Sequence, residues 1–211
     1  IYLDKTLTGR LWAHTRHVGP PWWLALRHIA FWLLFFAFFR ALFILWLHAK
    51  WSDESPWKAL WHALPLDLST AGYLVAAPLL FWYIGLASTS PVRRSLSAAL
   101  TGIQLGFLLL AVAIFGANVF VYEEWHTPLN SRAFDHFRIP GALLDSMSTA
   151  FKFGALALYV VLSWVWWRVF REITGTMTWP SERSRGHLVA AALLGAGLFV
   201  LIRGGLGKMP T

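Results

Sequence analysis

Most of the side chains that could do chemistry lie in one polar segment, residues 122–138, with the sequence YEEWHTPLNSRAFDHFR. Glu123 and His126 have the i, i+3 spacing of a metal-ligand pair, but two ligands are too few to specify a metal. Arg132 or Arg138 could hold a phosphate group through two parallel hydrogen bonds. The alternative is a polar cap on a helical bundle. As a group, these residues favour a docking surface or a lipid site.

A single arginine, Arg40, lies near the middle of a long apolar run. An arginine at the centre of a membrane span costs about 2.5–3.5 kcal/mol on insertion scales, so we expect it to face other helices and to have a partner. It could contact a phosphate or headgroup, or it could form a structural ion pair. Asp67, just before the next apolar run, can be that partner only if Arg40 reaches outward.

The candidates for lipid contact or docking share a polar side chain at the same predicted side of the membrane, and they are Arg40, Asp67, Glu123, Glu124, Asn130 and Arg132. We find no Ser/His/Asp arrangement and no complete set of metal ligands in the sequence. The chain is therefore expected to contain neither a catalytic residue nor a metal site.

The elements that must position these residues are membrane-spanning helices. The chain is 57% hydrophobic and 13% charged, whereas a soluble domain has about 25% charged residues. Its apolar residues fall into runs long enough to cross a bilayer. The predicted fold is an all-α integral membrane protein with a bundle of five transmembrane helices, at about 29–48, 71–88, 99–121, 148–170 and 188–202. Residues 1–28 are predicted to be a cytoplasmic interfacial segment and 29–203 the transmembrane domain.

The distribution of lysine and arginine predicts the orientation. One side of the predicted membrane has ten of these residues and the other has five: Lys5, Arg10, Arg16, Arg27, Arg93, Arg94, Arg168, Arg171, Arg183 and Arg185, against Lys50, Lys58, Arg132, Arg138 and Lys208. The N-terminus is therefore predicted to be cytoplasmic and, after five spans, the C-terminus extracytoplasmic.

A short helix is predicted in the first outer loop. Trp57, Leu60, Trp61 and Leu64 recur at i, i+3, i+4 and i+7, which gives one apolar face. We interpret this segment either as a separate helix lying in the outer membrane interface or as an ordinary loop helix packed on the bundle.

The net charge of +8 does not indicate a nucleic-acid partner, because the basic residues lie mainly in loops on one side, where anionic lipids and topology explain them. The predicted partners are membrane lipids. The absence of cysteine excludes disulfides, thiolate metal sites and cysteine catalysis.

Four segments carry a resemblance to a known family. Residues 66–74, LDLSTAGYL, resemble the D-[LI]-S-x-x-G-Y-L pattern at the start of the second span of lipoteichoic-acid-synthase-like phosphoglycerol transferases. Residues 118–137, with Tyr-x-x-Trp followed by Leu-Asn-Ser, resemble the loop after their third span, and residues 203–210, RGGLGKMP, resemble their exit from the fifth. Arg40 matches an arginine that the family tends to carry in the first span. One departure is Pro128, which replaces the arginine usual before the Leu-Asn pair.

The resemblance implies a five-helix membrane domain that precedes an extracytoplasmic catalytic domain of the alkaline phosphatase/sulfatase type in a bacterial cytoplasmic membrane. Residues 204–211 would then begin the linker to that domain. The implied cofactor is a divalent metal, commonly manganese, in the catalytic domain, and the implied lipid donor is phosphatidylglycerol. The alternatives are the membrane domain of a phosphoethanolamine transferase, and a non-catalytic membrane scaffold or transport protein.

Overall fold

A computed structural model of the chain describes residues 21–47, 57–125, 148–175, 179 and 185–203. All regular secondary structure in these ranges is helical. The helices, in chain order, are α1 (Pro21–Leu47), α2 (Lys58–Ala87), α3 (Ser90–Trp125), α4 (Thr149–Thr174) and α5 (Arg185–Ile202). The predicted boundary at residue 28 falls inside α1, which begins at its first residue with a proline, a position that needs no backbone N–H.

Four of the described helices are long and apolar enough to cross a membrane: Trp22–Trp46, Lys58–Ala87, Ser90–Val119 and Thr149–Thr174. At about 1.5 Å per residue, 25 to 30 helical residues exceed the roughly 30 Å of a bilayer core. The apolar part of α5, Ala192–Ile202, is shorter. The chain is thus a helical protein of the multi-pass membrane type. A fifth crossing and the orientation of the termini stay predictions.

The prediction of a separate interfacial helix before the second span was wrong. Lys58–Ala87 is one continuous helix of 30 residues, so residues 58–64 are the first turns of α2. Pro65 lies inside it and removes only one backbone N–H, which leaves the Trp61 carbonyl without its helical partner. The prediction failed because the apolar spacing of 57–64 fits a continuous helix as well as a separate one. Trp61 remains 76% exposed, as expected of an interfacial tryptophan.

The core is built on α1. This helix packs against α2, α4 and α5, while α2 also contacts α3 and α5, and α3 contacts α4. Phe31, Trp32 and Phe35 of α1 are completely buried. Edge-to-face contacts join Phe35 to Trp166 of α4 and to Phe115 of α3, with ring centroids 5.0 and 5.8 Å apart. Aromatic pairs in this geometry add to the gain from burial, so α1 holds the other helices together.

A buried stripe runs along α2 and crosses a second proline. Ala71, Val75, Pro78 and Trp82 are buried and follow one another at intervals of three or four residues, as one face of a helix requires. Pro78 cannot donate to the Leu74 carbonyl, four residues earlier. The side-chain amide of Gln104, on α3, donates to that carbonyl at 3.3 Å. Gln104 thus compensates for the proline and joins α2 to α3.

One end of the bundle, where α1, α3 and α5 begin and α2 and α4 end, is here called the arginine-rich end. Its described arginines are Arg27, Arg93, Arg94, Arg168, Arg171 and Arg185. These are six of the ten residues predicted on the more basic side, so the topology brings them together. Which side of a membrane this end occupies stays a prediction.

Close contacts at the arginine-rich end hold Trp179 and the start of α3 against α2. The indole of Trp179 lies directly against Gly85, where any side chain would collide with it. The indole Nε1 donates to the Trp82 carbonyl at 3.0 Å, and Arg93 Nε donates to the Gly85 carbonyl at 2.8 Å. Gly175 ends α4 with a positive φ of 67°, a conformation that glycine adopts at no steric cost.

Candidate functional site

Arg40 and Asp67 form an ion pair between α1 and α2. Arg40 Nη2 donates to Asp67 Oδ1 at 2.7 Å, and the two side chains are 26% and 13% exposed. Asp67 precedes the buried stripe of α2 by one turn, since it lies four residues before Ala71. Its carboxylate therefore faces the bundle, and the expected partner for Arg40 is present. We call this end of the bundle the ion-pair end.

The ion pair leaves hydrogen-bonding capacity on Arg40. The contact uses one nitrogen and one oxygen, so it is not the two-bond geometry that arginine and carboxylate can adopt. Arg40 Nε is buried and has no hydrogen-bond partner among the described residues. A buried guanidinium donor without a partner is unfavourable. Arg40 Nε therefore remains an unused hydrogen-bond donor beside the pair.

Two further residues of the 66–74 segment fix the end of α5 on α2. The Ser69 hydroxyl donates to the Ile202 carbonyl at 2.7 Å. Carbonyl groups in the last turn of a helix have no partner within the helix, so Ser69 satisfies one of them. A Cβ added at Gly72 would lie 2.9 Å from Leu201 Cδ2. Gly72 thus permits the close approach, and Ser69 fixes it.

Glu123 and Glu124 lie in the last turn of α3, not in a loop as predicted. Helix α3 continues past residue 122 because residues 117–125 contain neither glycine nor proline, and the first such residue is Pro128. The ring of Tyr122 packs edge-on against Phe43 of α1, with centroids 5.1 Å apart, which ties the end of α3 to the bundle.

The predicted candidates are only partly brought together. Arg40 and Asp67 meet, whereas Asn130 and Arg132 lie outside the described residues, as do the side chains of Glu123 and Glu124. A role for any of the six in lipid contact stays a prediction. Among the described residues, no group of three or more His, Asp or Glu could hold a metal ion.

Four polar residues that the sequence analysis did not single out are buried, namely His28, Gln104, Ser163 and Thr174. His28 is 4% exposed and Gln104 is 2% exposed. A glutamine inside an apolar run is a usable signal, because the cost of burying an amide requires a partner. Its partner could not be named, since that depends on α2 and α3 packing with Pro78 near Gln104.

Comparison of the chain with protein-family models, with curated proteins and with solved structures gives no match. The apolar helices and their packing define the class, a helical membrane protein of the multi-pass type.

Proposed function

We propose that this chain is the membrane domain of a lipoteichoic-acid-synthase-like phosphoglycerol transferase. In this proposal it crosses a bacterial cytoplasmic membrane five times, anchors an extracytoplasmic metal-dependent catalytic domain and holds that domain at the outer leaflet. The catalytic residues and the manganese belong to the catalytic domain, and phosphatidylglycerol is the lipid donor.

One observation carries the proposal: two parts of the resemblance, Arg40 and residues 66–74, meet at the ion-pair end, and the residue that precedes the third part is bonded there too. Arg40 pairs with Asp67, and Ser69 of the same segment bonds to Ile202, the residue before Arg203. Arg40 and Asp67 are 27 residues apart in the chain, and Ser69 and Ile202 are 133 residues apart. Residues of one functional pattern are expected to converge in space, and the convergence supports the resemblance.

The contacts suggest a mechanical role for this end. Ser69 and Gly72 hold the last turn of α5 against α2, and the Arg40–Asp67 pair holds α2 against α1. A polypeptide that continues from Arg203 would leave the bundle from a fixed point. A catalytic domain attached there would stay close to the headgroups of its lipid substrate, and such positioning replaces part of the entropy cost of capturing the lipid.

The first test is the intact mass of the polypeptide purified from its native membrane. The proposal expects a mass above the 23.9 kDa of this sequence by a whole domain. A native polypeptide that ends at Thr211 would contradict the proposal and favour a non-catalytic scaffold.

The second test measures turnover by the full native polypeptide in liposomes with Mn²⁺. We expect diacylglycerol to be released from phosphatidylglycerol, as the glycerol-phosphate group passes to an acceptor hydroxyl or to water, and not to be released from phosphatidylethanolamine. Release from phosphatidylethanolamine alone would replace the proposal by its phosphoethanolamine-transferase alternative, and no release from either lipid would reject both.

A matched pair of variants tests the positioning role. Ser69→Ala removes the bond to α5 and should lower turnover, by up to about a hundredfold if the catalytic domain shifts by 1 Å. Thr70→Val is the control, because the Thr70 hydroxyl bonds only to Leu66 in its own helix. Equal turnover in the two variants would show that the contact with α5 does not position the domain.

A further inference from the structure

A small cleft lies between α1, α3 and α4 at the arginine-rich end. Its volume is about 220 Å³, below the roughly 300–1,000 Å³ of pockets for drug-sized ligands. Gln104, 2% exposed, lies at its inner end, and Arg171, which is exposed, lies at its mouth. Apolar side chains such as Leu100 and Phe170 line part of the wall. The size suits a small polar group with an apolar extension.

Gln104 is the most informative residue of the cleft. Its Nε2 is committed to the Leu74 carbonyl, while its Oε1 is buried and has no hydrogen-bond partner in the described part of the chain. Buried amide oxygens in native proteins are almost always paired, with protein, water or ligand. The inner end of the cleft therefore lacks a hydrogen-bond donor.

Two hydroxyl groups of the lining have their protons engaged elsewhere. Thr101 Oγ1 donates to the Ser97 carbonyl and Thr174 Oγ1 donates to the Phe170 carbonyl, each at 2.8 Å. Once their protons are used, these oxygens offer only lone pairs. The lining of the cleft thus includes hydrogen-bond acceptors.

His28 adds another acceptor. Its Nδ1 lies 2.9 Å from the Leu24 carbonyl oxygen, which can only accept, so Nδ1 carries the proton. In the neutral imidazole, Nε2 is then an acceptor. The edge of Phe170 packs against this ring, with centroids 5.6 Å apart, and holds its orientation.

The mouth of the cleft is positively charged. Arg171 lines it, and Arg27 lies beside it, since a Cβ added at Gly175 would be 3.6 Å from Arg27 Nη1. None of the described residues that line the cleft is acidic. The cleft therefore favours a ligand with an anionic group at the mouth and neutral donors inside.

We propose that this cleft binds the glycerol-phosphate group of an anionic phospholipid from the leaflet at the arginine-rich end. The glycerol hydroxyls donate to Gln104 Oε1 and its neighbouring acceptors, and the phosphate contacts Arg171. An ethanolamine headgroup also has donors, but its ammonium would approach Arg171, and none of the described lining residues is a carboxylate. The site is separate from the ion-pair end and does not depend on the proposed function.

Native mass spectrometry of the full chain, purified in detergent and stripped of lipid, tests the site. The probes are phosphatidylglycerol, phosphatidic acid and phosphatidylethanolamine with identical acyl chains. We expect phosphatidylglycerol to bind about tenfold more tightly than phosphatidic acid, which has the phosphate without the glycerol. Equal affinities for these two lipids would overturn the proposal.

Two variants separate the ends of the ligand. Arg171→Gln should weaken the binding of phosphatidylglycerol and of phosphatidic acid alike, by about tenfold. The control is Arg168→Gln, an exposed arginine on the same helix that does not line the cleft. Gln104→Leu should instead lower the affinity for phosphatidylglycerol to the affinity measured for phosphatidic acid. It is made in a Pro78→Ala background, in which the helix supplies the N–H for the Leu74 carbonyl.

If Arg171→Gln and Arg168→Gln lowered the lipid affinity equally, the effect would come from non-specific attraction by positive charge, and the site would be rejected. Free sn-glycerol 3-phosphate distinguishes the source of the ligand. We expect it not to displace the lipid at millimolar concentration, whereas displacement in the micromolar range would assign the same cleft to the soluble compound rather than to a membrane lipid.

Discussion

The two ends of the bundle pair their charged groups to different extents. At the ion-pair end, Arg40 and Asp67 neutralise each other's charge, although Arg40 Nε has no hydrogen-bond partner among the described residues, and the Ser69 hydroxyl donates to the end of α5. At the arginine-rich end, the Gln104 oxygen has no partner among the described residues, and no described residue that lines the cleft is acidic.

This difference separates polar residues that hold helices together from those available to a ligand. Polar groups inside a membrane protein are expensive and persist where they have a partner or a function. Paired polar groups stabilise the bundle, whereas a group such as Gln104 Oε1 is available to a partner outside the described residues. Three stability measurements test this distinction.

The largest effect is expected at the ion pair. Asp67→Asn keeps the shape of the side chain but leaves Arg40 without its counter-charge. It should lower the free energy of unfolding by about 2–3 kcal/mol, below the 3–5 kcal/mol of a fully buried pair because both side chains keep some exposure. Equilibrium unfolding in mixed micelles measures the change.

The double variant Arg40→Gln/Asp67→Asn should be more stable than Asp67→Asn alone, since no unpaired charge is left. The single variant Arg40→Gln completes the cycle. If the effects of Arg40→Gln and Asp67→Asn on the free energy of unfolding simply add in the double variant, the two side chains are not coupled and do not compensate each other's charge.

The next effect is expected where Trp179 packs against Gly85. Gly85→Leu would collide with the indole and should cost about 2 kcal/mol, the usual scale of overpacking. Gly106→Leu is the matched control, because no atom lies within 4 Å of an added Cβ there. Adding Trp179→Ala to Gly85→Leu should recover part of the loss. A Gly85→Leu variant as stable as the control would mean that the contact does not hold α2.

The smallest effect is expected at Gln104, whose bond to Leu74 is long at 3.3 Å. Gln104→Leu should lower the free energy of unfolding by about 1 kcal/mol in the wild-type chain. In a Pro78→Ala background the change should be close to zero, because the backbone N–H of residue 78 then donates to the Leu74 carbonyl. Unfolding of the four variants of this cycle gives the coupling energy. A cost that persists unchanged in the Pro78→Ala background would show that Gln104 does not compensate for the proline.

Apolar runs in the sequence were enough to predict most of the helices. The fourth and fifth were placed at 148–170 and 188–202, and they occur at Thr149–Thr174 and Arg185–Ile202. The start of α2 was misjudged, because the periodicity of 57–64 does not distinguish a separate helix from the first turns of a longer one.

Only those features of the site that follow from the energetic cost of burying a charged residue could be predicted from the sequence. The energetic cost of an arginine predicted near the middle of a span required a partner for Arg40, and Asp67 was the named possibility. In the structure Arg40 lies nearer the end of its span, Trp22–Trp46, which brings it within reach of Asp67. The roles of Ser69, Gly72 and Gln104 follow from which helices are neighbours, and a single sequence does not contain that information. Each of them acts on the backbone or side chains of another helix.

The contacts of α5 with α2 have a mechanical consequence. Trp179, six residues before α5 begins, is fixed near Gly85, and Ile202, at the other end of α5, is fixed to Ser69. The two anchor points on α2 are 16 residues apart, about 24 Å along its axis. Sliding of α5 along α2 by a single turn, about 5.4 Å, would break the hydrogen bond between Ser69 and Ile202 and move Leu201 away from Gly72. The end of α5 therefore keeps a fixed register on α2.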